Sequence, residues 1–135
     1  MLRPAASLLL VLAAQAQVVD IGADTILSPP QGIIQGVPYF PRAVWHNYGD
    51  TAVAFRVWFQ ILDSAGGEVY LDSADAAPLQ PGHDSTIIFR RDVLCGFALL
   101  GGDSVLCRCS TAAAGDVNPA NDTFAMPVEV GMVSI

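Results

Sequence analysis

Ala54-Phe55-Arg56-Val57-Trp58-Phe59-Gln60-Ile61-Leu62 is the stretch on which the fold turns. Side chains of an extended strand alternate between faces, so positions two apart share a side. Phe55, Val57, Phe59 and Ile61 therefore make one apolar face, and Arg56, Trp58 and Gln60 make the other. A helical period would scatter the same residues around an axis. The segment predicts a half-buried strand with a polar outer surface.

The same alternation continues in both directions. Tyr39 to Asn47 is expected to be a strand ending in the turn Asn47-Tyr48-Gly49-Asp50. Asp63-Ser64-Ala65-Gly66-Gly67 is a hairpin loop leading into a strand at Glu68-Val69-Tyr70-Leu71. Pro78 to Asp84 is punctuated as a loop, and Ser85 to Phe89 alternates again with Ile87 and Phe89 inward. Ser104 to Thr111 sets Val105, Cys107, Cys109 and Thr111 against Leu106, Arg108 and Ser110. Thr123 to Val130 groups Phe124, Met126, Val128 and Val130, with Pro127 and Glu129 opposite. Pro127 cannot donate to a ladder, which places it at an edge or a bulge. A first strand near Val18 to Leu27, broken by Pro29-Pro30 and Gly32, completes a set of seven. No helical pattern of ten residues follows the N-terminal segment, so the expected fold is all-β, a seven-stranded antiparallel sandwich. Trp45, Phe55, Phe59 and Phe89 are its expected anchors.

Residues 1–16 are read as a signal peptide. Arg3 gives a positive start, Leu8 to Ala14 is apolar, and Ala14-Gln15-Ala16 fits small-x-small cleavage. The apolar run is too short to cross about 30 Å of hydrocarbon. One sandwich domain over residues 17–135 follows, secreted or at the cell surface and not membrane-inserted once the signal is removed. The chain has 135 residues, with six basic side chains, all arginine, against 13 acidic ones. Loss of Arg3 would take the formal charge from −7 to −8. Nucleic acid is excluded as a partner, because every phosphate contact needs a cation. With 53% hydrophobic and 14% charged residues, the chain is not intrinsically disordered.

The chemistry-bearing residues are few. His46 is expected to face solvent, out of phase with Trp45. His83-Asp84-Ser85 has triad residue types, but neighbours on one strand cannot converge on a single atom. No catalytic residue, metal site or cofactor is predicted. Three cysteines leave two readings open: small buried hydrophobes, or one bridge from Cys95 to Cys107 or Cys109. Asp116, Asn118, Asn121 and Asp122 offer oxygen ligands of the kind calcium takes. Pro119 stiffens their middle, however, and such side chains commonly cap their own turn, which is the expected role. Asn121-Asp122-Thr123 is formally a glycosylation sequon. Trp58, flanked by Arg56 and Gln60, is the candidate ligand contact, through stacking on a sugar ring or anchoring a partner. The alternative is a ring covered by a loop, a neighbouring domain or a long side chain.

Several pieces recur together in one family. They are Asn47-x-Gly49, the apolar strand with its glycine hairpin, Leu79-Gln80-Pro81-Gly82, and Gly115-Asp116-Val117-Asn118-Pro119-Ala120-Asn121-Asp122-Thr123. In this order they resemble the CARDB-type immunoglobulin-like domains of secreted bacterial proteins, which are similar to APHP repeats. The resemblance spans about Val18 to Val130. It implies a seven-stranded immunoglobulin-like sandwich with a structural or cell-adhesion role and no catalysis, commonly one part of a larger extracellular protein. Its partners would be other extracellular domains, proteins or glycans. Two departures stand out. Val105 occupies a position where the family often has tyrosine, and Ala43 leaves the inter-sheet disulfide without one half. The expected function is thus a secreted non-catalytic module, with a small carbohydrate-binding module using Trp58 as the alternative.

Overall fold

A computed structural model describes residues 17–90 and 104–131. The signal-peptide reading of residues 1–16 lies outside the described residues, as does Cys95; its two expected partners, Cys107 and Cys109, are free thiols, so the bridge to either is not formed.

Among the described residues eight strands form in chain order: β1 (Ile21–Ser28), β2 (Gly32–Ile34), β3 (Arg42–Asn47), β4 (Val53–Leu62), β5 (Glu68–Leu79), β6 (Asp84–Ile88), β7 (Ser104–Ala112) and β8 (Thr123–Gly131). They make two packed sheets, one ordered β1-β3-β6 and the other β2-β8-β7-β4-β5. The expected seven strands therefore become eight. The added one, β2, has three residues and runs parallel to β8, so the sandwich is not wholly antiparallel. Three residues between Pro29-Pro30 and Gly36 are too few to display a period. Only the edge of β8 gives them a partner, with Gly32 opposite Glu129.

β5 also runs to Leu79, beyond its expected end at Leu71. Asp72 to Pro78 is rich in residues that strands disfavour. Pairing with β4 continues from Leu62 opposite Glu68 to Val53 opposite Leu79, and the formed ladder overrides that preference. β5 is an edge strand, where Pro78 does least harm.

The core is the set of inward faces. Phe55, Val57, Phe59 and Ile61 are all buried, as are Val105, Cys107, Cys109 and Thr111 on β7. Trp45 and Phe89 enter from the smaller sheet and its edge. Phe89 lies 6.2 Å from Trp45 and 5.7 Å from Phe59 between ring centres, and Tyr70 meets Phe59 edge-on at 6.2 Å. Aromatic contacts of this geometry join the sheets without a covalent link. Cys107 and Cys109 are free buried thiols, each pushed up to about 12, chiefly by burial.

Asn47-x-Gly49 has a physical reason in this frame. Buried Asn47 donates through Nδ2 to the carbonyls of Thr51 and Leu79 at 2.9 and 2.8 Å, and its Oδ1 accepts from the Gly49 N–H at 2.8 Å. The turn is thereby closed on itself and tied to the end of β5. A side chain at position 49 would start 2.3 Å from the Val18 carbonyl oxygen, so only glycine fits.

Candidate functional site

Trp58, Arg56 and Gln60 project from the outer face of the five-stranded sheet, as the alternation requires. Register adds what alternation cannot. Trp58 lies between Ser73 on β5 and Ser110 on β7, with Thr123 of β8 beyond Ser110. Small hydroxyl residues thus surround a half-buried indole. The Arg56 guanidinium sits 5.9 Å from the ring centre. It donates to Asp75 at 2.8 Å and to Ser73 at 2.9 Å, which holds it over the ring. Gln60 donates to Glu68 at 2.6 Å and accepts from Arg108, whose Nε lies 3.0 Å away. Asp75, Glu68 and Arg108 complete this polar face. Alternation sets Arg108 on the outer side of its strand, but only the β4–β7 register puts it opposite Gln60.

The final loop meets the start of the chain. One oxygen of Asp116 accepts from the Ile21 N–H at 3.0 Å, and the other accepts from the Asn118 N–H at 2.8 Å. The Val117 N–H donates to the Val19 carbonyl at 2.9 Å, and Asn121 Nδ2 donates to Asp20 at 3.0 Å. Pro119–Asn121 forms a single 3-10 turn. Asp122 caps it through its N–H, and one of its carboxyl oxygens is buried without a partner. Burial, then the charge of Asp116 and a hydrogen bond to it, then the charge of Asp20, push the Asp122 carboxyl up to about 6. Asp20, 101 residues from Asn121, is the member of this group that the loop motif does not contain. Among the described residues, no three histidine, cysteine or acidic side chains are grouped to hold a metal ion.

His83, Asp84 and Ser85 do not converge on one point. His83 is exposed in the turn before β6. His46 faces outward and pairs with Asp84 at 2.5 Å, because β3 and β6 place these residues opposite each other. Asp84 thus bonds across strands and not to its sequence neighbour. The His46 ring lies 4.4 Å from Tyr48, whose hydroxyl donates to Asp24 at 2.5 Å. That hydrogen bond, followed by burial and the Asp24 charge, pushes the Tyr48 phenol up to about 12. Ser85, inside β6, sits beside neither histidine in register.

Solved structures with this fold are distant in sequence. A domain of a Methanosarcina acetivorans protein assigned to the cell surface superposes with a TM-score of 0.59 at 18% identity, covering 87% of this chain and 95% of that domain. The CARDB domain of a Pyrococcus furiosus protein, solved with di-metal ions, gives 0.54 at 12% identity, covering 87% and 94%. A beta-glucosidase from Listeria innocua gives 0.52 at 17% identity, but the match occupies only 17% of the enzyme. No family model matches the sequence, and no curated protein matches it. The sandwich is thus immunoglobulin-like and of the CARDB kind in fold.

Proposed function

We propose that the chain is a non-catalytic extracellular module that serves as a spacer or adhesion unit, with partners among other extracellular domains, proteins or glycans. The observation that carries this reading is the path of the chain through the sandwich. Val19 bridges to Asp116 at the end where β8 begins, and β8 then runs nine residues to Gly131 at the far end. At the usual rise this is about 30 Å. The first and last described strands thus begin and finish at opposite ends of the sandwich, which supports a spacer role.

The side-chain chemistry supports the absence of catalysis. His46 is paired with Asp84, and the nearby Tyr48 hydroxyl is bound to Asp24 and held protonated. The described thiols, Cys107 and Cys109, are buried and protonated at neutral pH. Likeness in fold to a domain assigned to the cell surface supports the extracellular part. A glycan contact at Trp58 has less support, because Arg56 lies over the ring and is held there by two partners.

The test is export. Expressed with its first 16 residues in a secreting host, the chain is expected outside the cytoplasm with Gln17 as its first residue. Intact mass and N-terminal sequencing read this directly. Retention in the cytoplasm with Met1 in place would overturn the reading.

A further inference from the structure

Among the described residues, the two arginines not tied into the outer face of the larger sheet converge elsewhere. Arg42 begins β3 and lies opposite Ile88 of β6 and Ser28 of β1 on the outer face of the smaller sheet. The Phe89 N–H donates to the Pro41 carbonyl at 2.8 Å, so the β3–β6 register continues and brings Phe40 level with Arg90. Pro41 and Phe89 turn inward and are buried, which sends Phe40, Arg42, Ile88 and Arg90 to the same outer side. The result is a square: Arg42 at the start of β3 with Phe40 just before it, and Ile88 at the end of β6 with Arg90 just after it. With Ser28 these four residues line a cleft of about 400 Å³, within the size range of small-molecule sites.

Three features of this cleft point to an occupant. Neither guanidinium makes an ion pair or hydrogen bond among the described residues, whereas Arg56 and Arg108 both do. In a chain with 13 carboxylates, the described ones leave these two neighbouring cations without an ion pair. Phe40 and Ile88 are 50% and 49% exposed, so apolar surface flanks the charge. Guanidinium forks match the two oxygens of a carboxylate. A bare inorganic anion would leave the apolar walls wet.

We propose that this cleft binds an organic carboxylate whose body presents an apolar or ring face to Phe40 and Ile88. Arg42 and Arg90 would hold the carboxylate, and the Ser28 hydroxyl would be the remaining donor in the lining. The site lies on the opposite sheet from Trp58 and does not depend on export or on a spacer role.

The experiment is an NMR titration of the full chain with phenylacetate, D-glucuronate, inorganic phosphate and glucose as separate probes. Saturable shifts are expected at residues 28, 40, 42, 88 and 90 with phenylacetate, with glucuronate, or with both. Which of them binds more tightly tells an apolar ring from a sugar ring. Glucose should leave those resonances in place, and phosphate should bind at least about tenfold more weakly than the better carboxylate. Arg42→Gln and Arg90→Gln, both at exposed positions, should each weaken carboxylate binding by about tenfold or more. Phe40→Ala should weaken the carboxylates and leave phosphate unchanged. Backbone spectra of the variants check that the sandwich is intact. The proposal is overturned if neither carboxylate shifts these residues, if phosphate binds as tightly as the better of them, or if the shifts survive in both arginine variants.

Discussion

Asn47 shows how much one buried polar side chain can organise. Its three hydrogen bonds close the turn before β4, hold the Gly49 N–H and fasten the end of β5. Asn47→Ala would strand one N–H and two carbonyls, so a loss of about 1–3 kcal/mol is expected, read from urea unfolding. Asp122 acts with the opposite sign from most carboxylates. Its pKa rises from about 3.8 to about 6 on folding, with burial the leading cause and the Asp116 charge next. Protonation therefore favours the folded state. The stabilising share of this group is complete below its unfolded pKa and is lost as pH rises through about 6. On lowering the pH from about 7 to about 4.5, wild type should gain more in urea midpoint than Asp122→Asn does. An equal gain in both would remove Asp122 as the source. The loop motif marks Asp116, Asn118, Asn121 and Asp122 as a group. That Asp20 and the Ile21 N–H complete it follows only from β1 lying against that loop.

Among elements, β8 carries the most specific expectation. The Glu129 N–H donates to Gln31 at 2.8 Å, toward β2. Position 127, two residues earlier, points the same way, but β2 pairs only with residues 129–131. Pro127 thus lacks its donor where no acceptor waits, which explains its place in a strand that is interior by order. Val128 points the other way, into the β7 ladder opposite Val105. Pro127→Thr should change stability by less than about 0.5 kcal/mol. Val128→Pro should cost upwards of about 1–3 kcal/mol through the unpaired Val105 carbonyl, with thermal unfolding as the measurement. Strands with clear alternation were legible within a residue or two, as β4, β7 and β8 are. Two features were not. β2 is too short to carry a period, and the second half of β5 is written in aspartate, serine and alanine, which signal a strand only once β4 is beside them.

For the molecule as a whole, a β5 edge bearing Asp72, Asp75 and Pro78, together with surplus negative charge, disfavours pairing of that edge with a further strand. A chain with no lysine leaves few cations, and their placement divides the surface. Arg56 and Arg108 knit the larger sheet's outer face, whereas Arg42 and Arg90, at the smaller one, have no ion pair among the described residues. The sequence by itself determined the all-β class and the inward face of each clearly alternating strand. Each depends on residue type and on a period of two, which are local properties. Tertiary structure alone decided which strands are neighbours, and so every contact between distant residues. The Arg56–Trp58–Asp75 stack, the His46–Asp84 pair and the Phe40–Arg42–Ile88–Arg90 square are all consequences of register. Alternation says which side of a strand a residue faces but is silent about its cross-strand partner, because that choice belongs to the packing of the two sheets.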